Sequence, residues 1–516
     1  MRWNRMRLAA AAVAMAGLAA AGCSSAGGGS SASAGATGAP VRGGTLSVVY
    51  QNEVNSLDPT ATTTASGAGS LPYYAIYDAL FTLSAGSGTV TPKIGLSLTP
   101  DAAQAVWTLK LRPDVKFSDG TPYDAAAVAF NWTRDKSTTS VLASAANLIK
   151  SMTVVSATTL RITLTAPDSS FDRTVAQQLL FIGSPAAIKK EGAAFGEHPV
   201  GAGPFELTTW VRNSEKTFAR NPHYYQPGLP YLSSLVIKII PDESQGATAL
   251  KTGEADYLYT QDSQLITQLK AAGMGAAVTT TPGSPNFAFN LKKAPFNDPS
   301  IRKAVVEAIN VNQMAEVTGT FQPATTPFPV GSPYNYGLTW PKYNPASAQQ
   351  LFNAYAAAHH GPVTFTLQTF QDPNTVAEGN FIQTALDQFH NVKVSLSTVA
   401  AATAETNVFT GNFQASAWGA PWYTPADLYI YLDSGQQLDV YGYSDPAVTS
   451  ALNSSRTTGN ASAQTADYRT IVATMVNAVP FFNYGVRQPA GIYTSQVHNV
   501  KLFYDGYPFL EDVWVG

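Results

Sequence analysis

Cys23 is the only cysteine among 516 residues, so no intramolecular disulfide can staple the fold. Its setting sharpens that constraint. Arg2, Arg5 and Arg7 make a basic start, Leu8 to Ala21 an alanine-rich apolar stretch, and Ala20-Ala21-Gly22 lead into the cysteine. A basic region, a short apolar region and small residues form the pattern of an export signal, and this run is too short for a comfortable bilayer span. An exported chain without disulfides has to draw its stability from its core. The composition supports one: 45% of the residues are hydrophobic, with 24 Tyr and 24 Phe.

The stretch before Cys23 resembles a lipobox, with Ala20 where leucine is usual, and the resemblance implies that the thiol carries a diacylglycerol. Residues 1–22 are then a signal peptide and 23–42 a lipid-anchored flexible linker, since Ser24 to Pro40 contains only Ser, Ala, Gly, Thr and Pro and cannot bury apolar surface. The expected location is the outer face of the cell membrane. Charged residues are 13%, against roughly 25% in ordinary soluble domains. The net charge is −3, and with no basic stripe interleaved with aromatics a nucleic-acid partner has no electrostatic support.

Strand and helix signals alternate beyond residue 43. Thr45 to Tyr50, Val106 to Leu111 and Thr159 to Leu164 read as strands. Asp298-Pro299 opens a helix with Ile301, Ala304, Val305, Ala308 and Ile309 on one face, and Asn344-Pro345 opens another that stops at Gly361. Between 363 and 399, two alternating strands flank an amphipathic helix marked by Phe381, Ile382, Ala385, Leu386 and Phe389. A connection of that length favours a parallel crossover. The fold class is α/β at least in part.

Chemistry is sparse. The chain has no G-x-S-x-G elbow, H-E-x-x-H pair, P-loop or G-x-G-x-x-G. The adjacent His359-His360 falls at a helix end, where a solvated cap is the simpler reading. No catalytic residue, metal site or cofactor is assigned.

An ordered set of segments carries more information. Gly43 to Leu46 leads to Ser56-Leu57-Asp58-Pro59, then Trp107 to Arg112 and Val115-Lys116-Phe117-Ser118-Asp119-Gly120-Thr121-Pro122. Gly201 to Phe205, Arg220 to Tyr225, Leu250 to Tyr257 and Pro295 to Ala304 follow. In this order they resemble the family 5 extracellular solute-binding proteins of ABC importers, the dipeptide, oligopeptide and nickel-type group, across essentially all of 43–516. Most of these residues also have a plain scaffold reading, as turns, tight passages and helix caps.

The resemblance implies a two-lobed periplasmic-binding-protein-like (type II) α/β fold with an extra subdomain in lobe I. Lobe I would comprise 43–84, 200–286 and 485–516, the extra subdomain 85–199, and lobe II 287–484, with hinge passages at Asn286 to Asn290 and Phe482 to Gly485. It implies a monomer without enzymatic activity that captures a small solute, peptide-type by family, and delivers it to ABC permease subunits. A lipid-anchored secreted hydrolase or lyase, and a peptide-sensing receptor or chaperone on the same fold, are the alternatives.

Peptide-binding members place an aspartate after a tryptophan on lobe II to hold the ligand's ammonium group. The matching segment here runs Trp418-Gly419-Ala420-Pro421-Trp422-Tyr423-Thr424-Pro425-Ala426-Asp427, with Pro421 at the aspartate's place. Proline offers neither charge nor N–H. The candidate ligand contacts are therefore the aromatic Trp418, Trp422 and Tyr423, with Asp427 as a substitute acid. Across the cleft Tyr50, Asn52 and Glu53 end the first strand, where α/β proteins commonly bind ligands.

Overall fold

The computed structural model describes residues 39–516 apart from 62–69, 85–87, 138–139, 420–421 and 434–438. Cys23, the leader, most of the linker and Pro421 therefore lie outside the described residues. The main strands in chain order are β1 Thr45–Tyr50, β2 Gly95–Pro100, β3 Val106–Leu111, β4 Ile149–Ser156, β5 Thr159–Leu164, β6 Phe205–Val211, β7 Glu215–Arg220 and β8 Ser234–Ile239. They continue with β9 Tyr257–Thr260, β10 Gly275–Val278, β11 Asn286–Phe289, β12 Val363–Phe370, β13 Val392–Val399, β14 Ala415–Trp418, β15 Phe481–Asn483 and β16 Ala490–Tyr493.

Three sheets organise them. The first lobe is built on a seven-stranded sheet of order β10-β16-β9-β1-β8-β7-β6, the second on a five-stranded sheet of order β13-β12-β14-β11-β15. The extra subdomain holds a four-stranded antiparallel sheet of order β2-β3-β5-β4. Each sheet has its own apolar core: Leu46, Val48 and Leu235 in the first lobe, Trp107, Leu109 and Trp132 in the subdomain, Phe287, Val305 and Leu367 in the second lobe.

Local chemistry explains several elements. Asp298 accepts a hydrogen bond from the Ser300 amide and Pro299 starts the helix Pro299–Ala308, satisfying one amide that has no intrahelical partner. Asn344 caps Pro345–His359 in the same way through the Ser347 amide, and His360 ends it in the left-handed region at φ 54°. The expected crossover is present: β12 and β13 pair in parallel from Val363–Val392 to Phe370–Val399, joined through the helix Pro373–Leu386. Phe117 to Thr121 closes a tight turn, with the Asp119 carboxylate accepting from the Thr121 amide and the Ser184 hydroxyl. Gly203 runs against the backbone of Ala75 and Ile76 so closely that a Cβ would collide with both.

Topology fixes how the two large sheets meet. In the first, β1 is parallel to β8 and β9, and β16 enters antiparallel, with Ala490 opposite Thr260 at the end of β9. In the second, Asn286 at the start of β11 lies opposite Trp418 at the end of β14 and opposite Asn483 at the end of β15. The chain crosses between the sheets twice, at 279–285 and 484–489. These passages are held together by Thr279 N to Pro489 O (3.0 Å), Thr281 N to Arg487 O (2.9 Å) and Arg487 N to Ser284 O (2.9 Å). Both passages join the carboxyl edge of one set of parallel strands to the carboxyl edge of the other. Of the expected hinge passages, Asn286 to Asn290 is for the most part a paired strand of the second sheet, with the crossing just before it, and Phe482 to Gly485 begins within a strand of that sheet, with the crossing just after Asn483.

Candidate functional site

Aromatic residues stand at the carboxyl edges of both sheets. From the second lobe, Trp418 ends β14 half-buried, with Phe370 and Phe409 edge-on to it at 6.3 and 6.0 Å. Phe370 ends β12, and Phe409 is 51% exposed. From the first lobe, Tyr50 ends β1 fully buried, its hydroxyl 2.7 Å from that of Tyr507. Tyr259 stacks on Tyr507 at 4.7 Å. Asn52, two residues past β1, is exposed.

The loop after Trp418 does something that residue type alone does not reveal. Trp422 is 0% exposed, its indole N–H donates to the Pro327 carbonyl at 3.0 Å and its ring packs 5.0 Å from Phe481. It is a core residue of the second lobe. Tyr423 turns the other way, into the core of the extra subdomain, with its ring edge-on to Tyr504 at 5.2 Å. Asp427 accepts hydrogen bonds from the Tyr423 and Thr424 amides at 2.8 and 2.9 Å and pairs with Arg173 of the subdomain at 3.4 Å. Its carboxylate clamps the loop and ties it to the neighbouring body, so it is engaged before any ligand arrives.

Glu53 is also engaged. It pairs with Lys216, accepts from the Asn213 and Val54 amides, and is approached by the Trp210 indole N–H at 3.4 Å. Burial acts to raise its carboxyl pKa, but the Lys216 ammonium and the two amides outweigh burial and hold it below the ordinary value. Glu53 fastens the end of β1 to the β6–β7 hairpin.

Sequence reading missed a second bridge between subdomain and second lobe. Asp168 pairs with Arg456 at 2.6 Å, the Ser169 amide donates to the Arg456 carbonyl at 2.6 Å, and the Ser169 hydroxyl donates to the Ser455 carbonyl at 2.8 Å. Asp168 and Arg456 lie 288 residues apart, so no local pattern announces them. Behind the second lobe's wall, buried Glu378 accepts from the Thr320 and Tyr484 hydroxyls, each at 2.6 Å, and pairs with Arg487 of the second crossing at 2.9 Å.

Two α/β lobes joined by paired crossing segments, with an added subdomain on the first, define a two-lobed solute-binding fold. Solved structures with that fold superpose over nearly the whole chain. NikA from Brucella suis in complex with Fe(III)-EDTA matches with a TM-score of 0.79, 22% identity and coverage of 92% of this chain and 100% of that one. DppA from Helicobacter pylori in complex with the peptide STSA matches with 0.76, 21% and coverage of 92% and 98%. Residues 89–439 match the model of the middle region of the bacterial extracellular solute-binding proteins, family 5, and the chain belongs to that family. The glutathione-binding protein GsiB of Escherichia coli strain K12 is 34% identical over 252 residues, 48% of this chain and 49% of the relative. GsiB of Shigella dysenteriae is 34% identical over 254 residues with the same coverage. The matched region thus spans about half the length of these curated relatives.

Proposed function

We propose that this protein is the substrate-binding lipoprotein of an ABC import system, anchored through Cys23 on the outer face of the membrane. It captures a small solute between its lobes and presents the closed form to a membrane permease. The observation that supports this reading is the pair of crossing segments, 279–285 and 484–489, which join the carboxyl edges of the two large sheets. Rotation at two short adjacent segments can open or shut a cleft between the lobes without disturbing either core. A ligand touching both walls stabilises the closed state by its extra contacts there.

Lobe I in this reading comprises 43–84, 200–286 and 485–516, with 85–199 as its subdomain and 287–484 as lobe II. The ligand is peptide-type, in keeping with DppA and its bound peptide and with the glutathione-binding relatives. Trp418 stacks on it from the second lobe, while Tyr50 and Asn52 line the opposite wall. Tyr423 contributes by closing the subdomain against the loop.

The test combines native mass spectrometry of gently purified protein, to identify a carried solute, with small-angle scattering before and after its removal and return. A smaller radius of gyration with solute is expected. A profile unchanged at saturating solute, or no solute bound from a peptide panel, overturns the reading.

A further inference from the structure

Arg487 lies in the second crossing, and its side chain is held from the second lobe. Its guanidinium donates to the Thr320 carbonyl at 2.5 Å and pairs with Glu378 Oε1 at 2.9 Å. Glu378 is 1% exposed and sits on the helix Pro373–Leu386. Its Oε1 also accepts from the Thr320 hydroxyl and its Oε2 from the Tyr484 hydroxyl, each at 2.6 Å. One carboxylate thus grips both ends of the stretch 484–487. The same stretch pairs with second-lobe chain: Val486 lies opposite Gln322 and Gly485 opposite Pro323, and the Ala324 amide donates to the Tyr484 carbonyl at 3.0 Å. A Cβ on Gly485 would fall 2.4 Å from the Phe321 ring. The stretch 484–487 is fastened to the second lobe although it lies outside that lobe's main sheet.

The first crossing is held from the same side as far as Pro282. The Pro282 carbonyl accepts from the Trp422 amide at 3.3 Å and the Pro285 carbonyl from the Asn483 side chain at 2.8 Å. At the opposite end, Pro489 is so close to Gly506 of the first lobe that a Cβ there would lie 2.7 Å from it. Between these anchors the crossings form a ribbon with two rungs, Thr279 N to Pro489 O and Thr281 N to Arg487 O. Thr280 and Gln488 face each other between the rungs, both half-buried. Among the described residues no hydrogen bond ties either of them to a lobe.

Resting on the solute-binding reading above, we infer that the lobes swing about one narrow pivot, the Thr280–Gln488 pair of the ribbon, and that Glu378 and Arg487 are positioning residues that keep 484–487 rigid with the second lobe. Removing one partner leaves the other as an uncompensated charge, which is costly where it is buried. The stretch then peels away to hydrate that charge, and 484–487 bends as well. The lobes meet over a wider spread of angles, and a solute that must order this spread binds more weakly.

The test uses solute-free mature protein with nitroxides at Lys251→Cys on the first lobe and Lys393→Cys on the second, both exposed, in a Cys23→Ser background. Glu378→Gln and Arg487→Met should widen the interlobe distance distribution measured by electron spin resonance. Arg487→Lys, which keeps the charge, should widen it less than Arg487→Met. A merely structural role would lower denaturation midpoints without widening the distribution. Unchanged width in both charge-removing variants, or equal widening by Arg487→Lys and Arg487→Met, overturns the inference. Should the variants fail to fold, amide exchange in wild type reads the same pivot. The rung amides of Thr279 and Thr281 are expected to exchange at least about tenfold faster than the anchored amides of Ala324 and Arg487. Equal rates, or the reverse order, overturn it. Lobes that move with a spread indifferent to the pair sink this inference alone. An interlobe distance that stays the same when the carried solute is removed and returned sinks the parent reading as well.

Discussion

Trp422 and Tyr423 are consecutive residues that bury in different cores, Trp422 against Phe481 of the second lobe and Tyr423 against Tyr504 beside the subdomain. A peptide bond thus joins a residue that stabilises one body to a residue that couples it to another. Trp422→Ala should cost about 3–5 kcal/mol, as large-to-small core substitutions do, read as a lowered urea midpoint. Tyr423→Ala should leave the second lobe's own transition in place and enlarge the ligand-free radius of gyration. Equal loss of midpoint in both variants would contradict this division.

The subdomain and second lobe are tied by Asp168–Arg456 and Arg173–Asp427. Arg456→Ala leaves the 5% exposed Asp168 side chain without its cation, and opening the lobes is the cheapest way to rehydrate it. The variant is expected to populate the open form without ligand and to bind solute several-fold more weakly. Scattering and calorimetry check both, and an unchanged radius of gyration would remove these pairs from the closure mechanism.

Asp505 makes stability depend on pH. Burial raises its carboxyl to about 7, against an ordinary value of 3.8. Below the ordinary value the acid is protonated folded or unfolded and costs nothing. Between about 4 and 7 the unfolded chain releases the proton that the folded chain keeps, so stability falls as pH rises, then levels off above 7. The groups around it, Tyr74, Tyr257, Tyr259, Tyr423, Tyr504 and Tyr507, are all shifted upward and stay neutral across this window. Lys93, near Phe503, is held charged by Asp78 and Glu511 against the pull of burial. Asp505→Asn should therefore stabilise the solute-free protein at pH 8 relative to its effect at pH 4, by at most on the order of 4 kcal/mol. Denaturation midpoints at the two pH values measure it.

Lipidation at Cys23 makes a separate prediction in cells. Cys23→Ser should release the protein from the membrane fraction into the surrounding medium or compartment. A single acyl-bearing residue is the proposed anchor, so detergent-dependent membrane retention of that variant would refute it.

Much of the scaffold is legible in the amino-acid sequence. Thr45–Tyr50, Val106–Leu111 and Thr159–Leu164 are strands at the expected limits, and the parallel crossover of β12 and β13 follows from hydrophobic period and the length of the connection. Period reports which face of an element is buried, and that information is local. Which body an aromatic residue serves is not local. Trp422, Tyr423 and Trp418 share one segment and one chemical type, yet one lies in a core, one at an inter-body contact and one half-buried at a strand's end. Glu53 and Asp427 do stand near a strand end and in a cleft loop, but their partners Lys216 and Arg173 lie 163 and 254 residues away. Asp505 sits in an Asp-Gly turn that reads as an ordinary surface bend; only burial by Tyr74, 431 residues earlier, singles it out.

The strand β16, which fills the place between β9 and β10, has a consequence for synthesis. Its residues, Ala490–Tyr493, are made after β1, β9 and β10 of the same sheet and after the whole of the second lobe's sheet. Until β16 is made, β9 and β10 each lack a neighbour and present open hydrogen-bonding edges, the kind that recruit other chains. The second lobe and the subdomain have no such debt, since their strands come from continuous or nearly continuous sequence. A chain cut short before Ala490 would therefore hold two finished bodies attached to a sticky, unfinished third, and aggregation of chains truncated there would be its visible mark.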